Sequence, residues 1–510
     1  KPEDAAQRAA VTWAAEDLFG QLGGAAETVQ VLRRDADRRI HGLVAEVNEA
    51  LGSLHDLNLD LNRSGDNAEL LDQRDRLVRD LSYKLDIKTY THEDGTLAVF
   101  TPDGQPLLEY SPRTIVYTPP SVVERDAPFP AIEVYDHSEI DPATSRPLAG
   151  APGGVLVGAG TRLELTPELK AAGGHAAISP TLTNGELGGL LQVRDRVLPQ
   201  LDDQLQEAGA LMAFALNAAH NDANPVGGHE GTVRGSRTLD ALTTPPATFA
   251  GVAFIEVSDG TTSTTHRLDL AALGSPGAIA GAIDALPHLS ATANAGAPLE
   301  ITADAGWRFA VANATADDSQ DASAITQAEL PPPHTAEGHV WTYNFAQFFG
   351  LNDLVTRDAN TGDLAVRADI AADPMRIAST KLAVTTPDPA LPGTVESVLG
   401  GIGDTRGLNQ LAAALDRQQT SVARGNLPPA NVTAREYIGD IINIQAIHAQ
   451  TAERAAKNDT ILADELDFQR AGISGVNMDE EMAHLLQLQQ SYATAARLMT
   501  AADEMLQELL

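Results

Sequence analysis

The chain has 510 residues, and 35 Lys and Arg against 70 Asp and Glu give it a formal charge of −35 at pH 7. So acidic a surface is repelled by phosphate groups and anionic lipid headgroups, which argues against nucleic-acid binding and membrane docking. The chain has no cysteine, which excludes disulfides, thiolate metal sites and a cysteine nucleophile. Its length predicts about two to four domains, at roughly 100–200 residues each.

The N-terminal region is predicted to be helical. From residue 40, apolar residues advance by alternating steps of four and three, which is the repeat of a helix seam that packs against a partner helix. A second helix is predicted over 70–85, and it carries a charged run at 72–76. The seam consists of Ile40, Val44, Val47, Leu51, Leu54 and Leu61, with Asn58 in its polar position.

The segment that follows is predicted to be β-rich. Asp94-Gly95 and Asp103-Gly104 are typical turn dipeptides on either side of a short alternating run at 96–100. Proline-rich stretches near 119–120 and 128–147 indicate loops or sheet edges. The pattern returns to helix over 187–217, where regularly spaced leucines provide one buried face.

A distinct block is predicted in the middle of the chain. Residues 221–245 are rich in Gly, Asn, Pro and Thr, which is typical of a linker. The block itself is predicted to be a compact α+β insertion. Its expected elements are strands at 254–257, 266–270, 299–302 and 307–311 and a helix at 278–286.

The C-terminal region is again predicted to be helical. A stripe with many small side chains runs from Ile438 to Ala456 and is expected to join the bundle of the N-terminal helices. In the last helix, Asn477 followed by Glu480 indicates a capping box at the start. Apolar residues then recur every seven positions, so this helix either folds back on the chain or docks on another molecule. The stripe consists of Met478, Leu485, Tyr492, Met499 and Leu506, with Met482, Ala496 and Leu510 beside it.

No catalytic or metal-binding pattern stands out. His334 and His339 could be metal ligands, but no third ligand lies nearby in sequence, so a solvated loop pair is the better interpretation. Asp358, Asn360 and Gly362 partly match a calcium loop, but the final bidentate Glu is missing and a hairpin turn is favoured. The sequence therefore predicts no enzyme, no metal and no cofactor.

Several stretches of the sequence resemble the hook-associated protein 1 family of bacterial flagellar axial proteins. One is Leu-Leu-Asp-Gln-Arg-Asp at 70–75, and another is Gly-Gly-Leu-Leu at 188–191 with Arg194 and Asp195. Phe-Ala-Leu-Asn-Ala-Ala-His at 214–220 and Phe-Phe-Gly-Leu-Asn-Asp at 348–353 are similar to other family blocks. Ser-Gly-Val-Asn-Met-Asp-Glu-Glu at 474–481 resembles a C-terminal signature shared by rod, hook and junction proteins.

The resemblance implies an α+β multidomain protein of flagellar axial architecture. Helices from both chain ends would form a long bundle or coiled-coil domain, with β-rich domains inserted. The implied role is structural and extracellular, at the junction between hook and filament, after passage through the flagellar export apparatus without a cleaved signal peptide. The implied partners are the hook protein, hook-associated protein 3, further copies in a ring and an export chaperone, with no nucleic acid or membrane.

The family begins with a helix whose signature this sequence lacks, so we expect the chain to be N-terminally truncated. The predicted domains are a helical bundle (1–85, 186–220 and 400–470), its β-rich part (86–185), a small α+β insertion resembling those of flagellins (245–335), a β-hairpin or connecting segment (336–399) and a C-terminal assembly helix (471–510).

Two groups of site residues follow from the resemblance. The charged run at 72–76 is by itself more typical of a solvated helix face, and only the resemblance favours a packing role. The assembly and chaperone-binding residues are Asn477, Met478, Met482, Leu485, Tyr492, Met499 and Leu506. The domain-packing residues are Leu71, Asp72, Arg74, Asp75, Leu190, Arg194, Asp195, Ile40, Val47 and Leu54.

Other functions stay open at the level of sequence. The chain could be another axial protein, such as hook-associated protein 3 or a flagellin-like protein. It could also be a secreted surface adhesin or glycan-binding protein that uses the region 249–311. An enzyme grafted into the insertion would need a bound metal or turnover of a substrate.

Overall fold

The computed structural model describes residues 4–64, 67–123, 129–141, 143–144, 146–151, 153–157, 184–238, 246–294, 296–314, 322–328, 339–357, 362–385, 396–474 and 478–509. The chain divides into a first unit, Lys1–Ile441, and a second unit, Ile442–Leu510. The helices are α1 (Ala5–Ser64), α2 (Ala68–Lys84), α3 (Gly185–Gln192), α4 (Leu198–Asn221), α5 (Leu270–Leu273), α6 (Pro276–Asp284), α7 (Phe345–Phe349), α8 (Ala368–Ala372), α9 (Arg406–Ala412), α10 (Ala434–Ser474) and α11 (Met478–Leu509).

The described strands all lie in the first unit, and each sheet pairs its strands antiparallel. They are β1 (Lys88–Thr91), β2 (Leu97–Phe100), β3 (Pro106–Leu108), β4 (Thr114–Val116), β5 (Ile132–Tyr135), β6 (Ile140–Asp141), β7 (Arg146–Pro147), β8 (Gly154–Val157), β9 (His229–Glu230), β10 (Thr232–Thr238), β11 (Thr248–Ala250), β12 (Val252–Ser258), β13 (Ser263–Asp269), β14 (Leu289–Thr292), β15 (Pro298–Ala303), β16 (Arg308–Ala312), β17 (Ala324–Ala328), β18 (Val340–Tyr343), β19 (Val355–Arg357), β20 (Leu364–Val366), β21 (Leu382–Thr385), β22 (Glu396–Leu399), β23 (Gln419–Thr420) and β24 (Asn431–Val432).

The sheets are small. The multi-stranded ones have the orders β1-β2-β3, β4-β5-β8, β13-β12-β16-β9, β10-β15-β14 and β11-β17-β18, and the others are hairpins. Turn glycines fix the first hairpin as expected, because Gly95 and Gly104 have φ of +86° and +91°. The alternation of long helices and short sheets confirms the predicted α+β multidomain class.

The first unit contains two separate apolar cores. The small core joins the middle of α1 to α2, α3 and the sheets of residues 88–157, and α1 contributes Ile40, Val47 and Leu54 to it. The large core joins the start of α1 to α4, the insertion and the first turns of α10, with Ala15 and Ile441 at its two ends in sequence. Helices from both ends of this unit therefore share one core.

The α1 seam packs differently from the prediction. Its apolar side chains meet strands as well as helices, including Val99 of β2 and Ile115 of β4. Asn58, the polar position, donates its side-chain N–H to the carbonyl of Leu97 at 2.9 Å and accepts the Leu97 N–H at 3.0 Å. The 3.5-residue repeat marks a narrow apolar stripe, and such a stripe fits a strand edge as well as a partner helix.

The predicted linker at 221–245 is wrong over its described part. It contains β9 and β10, which pair with the insertion strands β16 and β15. Position 235 of β10 requires a glycine, because a Cβ there would lie 2.3 Å from the carbonyl oxygen of Phe349. Glycine and threonine are frequent in this segment because of close packing, and their turn-like composition concealed two strands.

The segment 336–399 is more than a connection. β18 pairs with β17, and α7 contributes Phe345, Phe348 and Phe349 to the large core. The hairpin of β21 and β22 covers the outer face of the insertion sheet, where Val384 packs with Phe254. Local patterns in this segment are too short to show partners that are distant in sequence.

The segment 400–470, which was predicted to lie in one bundle, is divided between the two units. In α10 the residues buried in the large core are Ala434, Tyr437 and Ile441, whereas the side chain of Ile442 is 65% exposed. The helical period places Ile442 on a different face from Tyr437 and Ile441. The predicted stripe from Ile438 to Ala456 continues beyond Ile441 into the second unit, where the described side chains of α10 are exposed or half-buried, so its packing role stays a prediction. Of the helices that the structure describes, none combines the length and apolar character needed to cross a membrane.

Candidate functional site

The predicted assembly helix is α11 of the second unit, and its apolar stripe is exposed. The side chains of Leu485 and Met482 are 56% and 55% exposed, and those of Tyr492 and Met499 are 80% and 79% exposed. Met478 and Leu506 belong to α11, and Asn477 lies outside the described residues. A helix that presents large apolar side chains to solvent is typical of a surface that binds another protein.

The charged run at 72–76 lies on α2, where one part of it is solvated and another part packs against the fold. Asp72 is exposed, whereas Leu71, Arg74 and Asp75 are half-buried. Arg74 donates to the carbonyl of Gly95 at 3.3 Å and pairs with Asp75 at 3.8 Å. The run therefore contacts the first β-hairpin through Arg74, and its first acidic residue points to solvent.

Arg194 and Asp195 belong to a buried cluster between α1 and the β-rich segment. This arginine cluster consists of Arg33, Asp37, Tyr117, Phe129, Arg194 and Asp195. Arg194 donates to Asp37 at 2.7 Å, to the hydroxyl of Tyr117 at 2.9 Å and to both carboxylate oxygens of Asp195 at 2.7 and 2.9 Å. The Tyr117 hydroxyl in turn donates to Asp37.

Aromatic rings and charge pairing stabilise the arginine cluster further. The Arg194 guanidinium lies 4.0 Å from the Phe129 ring centroid, and that of Arg33 lies 5.2 Å from it. Burial alone would lower the pKa of Arg194, but the hydrogen bond and charge of Asp195 outweigh it and raise that pKa. Leu190, the remaining predicted packing residue here, is half-buried against the small core.

The local backbone explains why Arg194 points inward. α3 and α4 are joined by a single π-helical turn, Val193–Val197. A π turn inserts one extra residue into a helix and rotates the side chains that follow it. Sequence reasoning identified Arg194 and Asp195 but missed Asp37, Tyr117 and Phe129. The only signal in the sequence was the charge of Asp37 on the buried face of α1.

Two other blocks that carry the family resemblance meet at the end of α4. This asparagine cluster consists of Asn217, His220, Asn221, Asn352 and Asp353, all of them buried. Asn217 donates to the carbonyl of Val355 at 2.8 Å and accepts the N–H groups of Leu354 and Val355 at 2.9 and 2.8 Å.

The rest of the asparagine cluster is paired just as closely. Asn221 donates to Asp353 at 2.7 Å and accepts the N–H of Asn352 at 2.9 Å. Asn352 donates to the carbonyls of His220 and Ala223 at 3.1 and 3.3 Å. The cluster therefore replaces the backbone hydrogen bonds that an irregular buried segment would otherwise lack.

His220 is held as a neutral ring inside the asparagine cluster. Its Nδ1 donates to the carbonyl of Asn352 at 2.5 Å, and its Nε2 accepts the N–H of Ala378 at 2.9 Å. If the ring were protonated, its Nε2–H would point at the backbone N–H of Ala378, and the two donors would repel each other. Burial lowers the pKa of His220 from 6.5 to about 4.

We therefore expect the first unit to lose stability in acid through His220. Between pH 6.5 and 4 the unfolded chain binds this proton and the folded chain does not, so stability falls as the pH falls. From pH 7 to pH 5 the loss should be about 2 kcal/mol. Urea unfolding, followed by the fluorescence of Trp13, Trp307 and Trp341, measures it. In His220→Asn this part of the pH dependence should vanish, and parallel pH profiles for the two proteins would contradict the assignment.

The interpretation of His339 as a solvated loop residue is wrong. Its side chain is only 3% exposed, and its Nε2 lies 2.8 and 2.9 Å from the carboxylate oxygens of Glu207. Its ring stacks on Trp341 at 4.1 Å. The error arose because Glu207 is 132 residues away in sequence, on α4.

His334 lies outside the described residues, as do Asp358 and Asn360. β19 and β20 on either side of the latter pair form the expected hairpin, and Gly362 has a φ of +76°. Within the ranges that the structure describes, no group of three His, Cys, Asp or Glu could hold a metal ion.

Comparisons with known proteins agree with this arrangement. Residues 1–232 match the family described as flagellar hook-associated protein FlgK helical domain, and residues 472–510 match the flagellar basal body rod FlgEFG protein C-terminal family. Flagellar hook-associated protein 1 of Salmonella typhimurium is 23% identical over 523 aligned residues, which cover 100% of this chain and 77% of that protein.

Other relatives are similar over different lengths. Flagellar hook-associated protein 1 of Bacillus subtilis is 29% identical over 123 residues, which cover 22% of this chain and 24% of that protein. The solved flagellar hook junction protein FlgK of Burkholderia pseudomallei is 18% identical with a TM-score of 0.42, over 92% of this chain and 90% of that one. The chain is therefore similar to the flagellar hook-associated protein FlgK helical domain over residues 1–232 and to hook-associated protein 1 sequences over as much as its full length.

Proposed function

We propose that this protein is a structural subunit of the bacterial flagellum that joins the hook to the filament. The observation that carries the proposal is the exposed apolar stripe of α11, in the region that matches a C-terminal family of rod proteins. The match of residues 1–232 to the flagellar hook-associated protein FlgK helical domain and the similarity to flagellar hook-associated protein 1 of Salmonella typhimurium support the role at the junction. The function is mechanical, and we propose no catalytic step for it.

The proposed mechanism is helix-mediated stacking of subunits. Leu485, Tyr492 and Met499 lie along one line of α11 at intervals of seven residues, so one partner helix can cover them all. Each large apolar side chain contributes about 1.5–3 kcal/mol when it passes from water into such a contact. Burial of the exposed stripe between subunits would therefore favour assembly over the monomer.

The proposed partners are the hook protein, hook-associated protein 3 and further copies of this chain in a ring. We also propose that an export chaperone covers 477–510 before export, because an exposed apolar stripe favours aggregation. The proposed location is outside the cell, at the hook–filament junction, after passage through the flagellar export apparatus.

A double substitution on the stripe tests the assembly role. Leu485→Asp with Tyr492→Asp should abolish filament attachment when the variant replaces the parent gene, while urea unfolding of the first unit stays unchanged. Gln487→Asp with Gln490→Asp is the matched control, since both residues are exposed on the far side of the same helix. Normal filaments with the stripe variant, or equal loss with the control, would contradict the proposal.

A further inference from the structure

The two cores of the first unit are joined by a bridge with little apolar packing. Along α1 the large core ends at Leu22 and the small core begins at Ile40. That stretch is about 27 Å long, at 1.5 Å per residue. The residues from Gly20 to Thr28, which overlap the start of this stretch, include no buried side chain. Few apolar contacts and many exposed backbone groups mark a segment that opens at low free-energy cost.

Charged side chains make up half of the buried α1 residues in the bridge, where Arg33 and Asp37 lie beside Val29 and Ala36. Arg33 and Asp37 of α1 face Arg194 of the π turn, and Asp202 of α4 contributes to the field at Arg33. All four side chains are buried. Hydrogen bonds and ion pairs of this kind fix direction more than volume, and the apolar side chains beside them, Val29 and Ala36, belong to neither core. The bridge therefore has less apolar packing than either core.

The helix itself is weak at the unburied segment. Gly20, Gly23 and Gly24 lie there, and a Cβ at any of them would meet nothing within 4 Å. Packing therefore does not require these glycines, although each costs a helix about 0.8–1 kcal/mol relative to alanine. The Thr28 hydroxyl donates to the carbonyl of Gly24 at 2.7 Å, and such back-bonding bends helices.

The second connection between the cores is irregular opposite Arg33 of α1. The π turn Val193–Val197 separates α3, which contributes Leu191 to the small core, from α4 of the large core. Pro199 follows in the first turn of α4. The Nε of Arg33 donates to the carbonyl of Arg194 at 3.3 Å, so the irregular turn and α1 are tied together.

We propose that the first unit bends between its two cores, with the flexing points at 20–28 of α1 and at the π turn. The π turn departs from ideal helix, and the α1 segment, although it is continuous α-helix, contains three glycines that packing does not require. Glycine pairs and π turns are usual sites of helix bending. The arginine cluster acts as the pivot, because the hydrogen bond from Arg33 to the carbonyl of Arg194 and the ion pair of Arg194 with Asp37 hold the two segments together. This inference stands independently of the proposed function.

Distances across the bridge test the proposal. The chain has no cysteine, so spin labels at Ala10→Cys and Ala45→Cys, both exposed on α1, are unique. In a chain with no other substitution, the distribution of distances between the two spin labels should be broad. Gly20→Ala, Gly23→Ala and Gly24→Ala together should narrow it and move its mean toward about 52 Å, the span of 35 residues in a straight helix.

The matched control is Gly42→Ala with Gly52→Ala. These glycines lie in the part of α1 that packs on the small core, and a Cβ at either also meets nothing within 4 Å. Each of these two replacements gains the same helix propensity as each of the three in the test variant, and the pair should leave the width of the distance distribution unchanged. A native distribution as narrow as that of the triple variant, or equal narrowing by the control, would overturn the proposal.

Discussion

Replacing Arg194 by methionine is expected to lower the free energy of unfolding of the first unit by about 4 kcal/mol. The substitution leaves the carboxylate of Asp37 buried with the Tyr117 hydroxyl and without its cation. Breaking a buried ion pair by removing one partner typically costs about 3–5 kcal/mol. Urea unfolding followed by tryptophan fluorescence measures the loss, because Trp13, Trp307 and Trp341 all lie in the first unit.

Two further variants separate the buried charge from other effects. Arg194→Met combined with Asp37→Asn removes the uncompensated carboxylate and should recover part of the loss. Arg38→Met breaks the neighbouring pair with Asp35, whose side chains are 77% and 50% exposed, and should cost less than about 1 kcal/mol. If Arg194→Met costs no more than Arg38→Met, the arginine cluster does not stabilise the fold as described.

Replacing Asn217 by leucine is expected to cost about 4 kcal/mol as well, although leucine has the same number of side-chain heavy atoms and the same branch at Cγ. The N–H groups of Leu354 and Val355 and the carbonyl of Val355 would lose their partner inside the large core. Each buried backbone group left unsatisfied costs about 1–3 kcal/mol. The same urea titration measures the effect.

The control for this change is Asn409→Leu. Asn409 is exposed on α9, and its side chain donates to the Thr405 hydroxyl at 3.4 Å. We expect a change within about 0.5 kcal/mol there, as for most surface substitutions. A loss below 1 kcal/mol for Asn217→Leu would show that its three hydrogen bonds are replaced by water or by a rearranged segment.

Local patterns in the sequence predicted the helices and many of the strands. The strand expected at 254–257 is β12, the helix expected at 278–286 is α6, and the strand expected at 299–302 is β15. The spacing of apolar residues depends only on residues close in sequence, so it can be recognised wherever one face of a helix or strand is buried. The α1 residues Ile40, Val47 and Leu54 are buried for the same reason.

The polar clusters could not be predicted in this way. Asp37 and Arg194 are 157 residues apart, and Asn221 and Asp353 are 132 residues apart. Either residue of such a pair looks like an ordinary surface residue until the tertiary fold brings its partner close. The resemblance indicated Arg194, Asp195 and the blocks at 214–220 and 348–353, but not the hydrogen bonds that join them.

The two cores differ in how much of the chain each one needs. The small core is complete within residues 40–191, whereas the large core includes residues from Ala15 to Ile441. Arg8 at the start of α1 donates to the carbonyls of Met375 and Ile377 at 2.9 and 2.8 Å, which closes a loop of 369 residues at the second contact. Contacts between distant residues form later than local ones, because the entropy of loop closure must be overcome first. The small core can therefore fold before the C-terminal end of the first unit has been synthesised, whereas the large core is complete only once residue 441 is present.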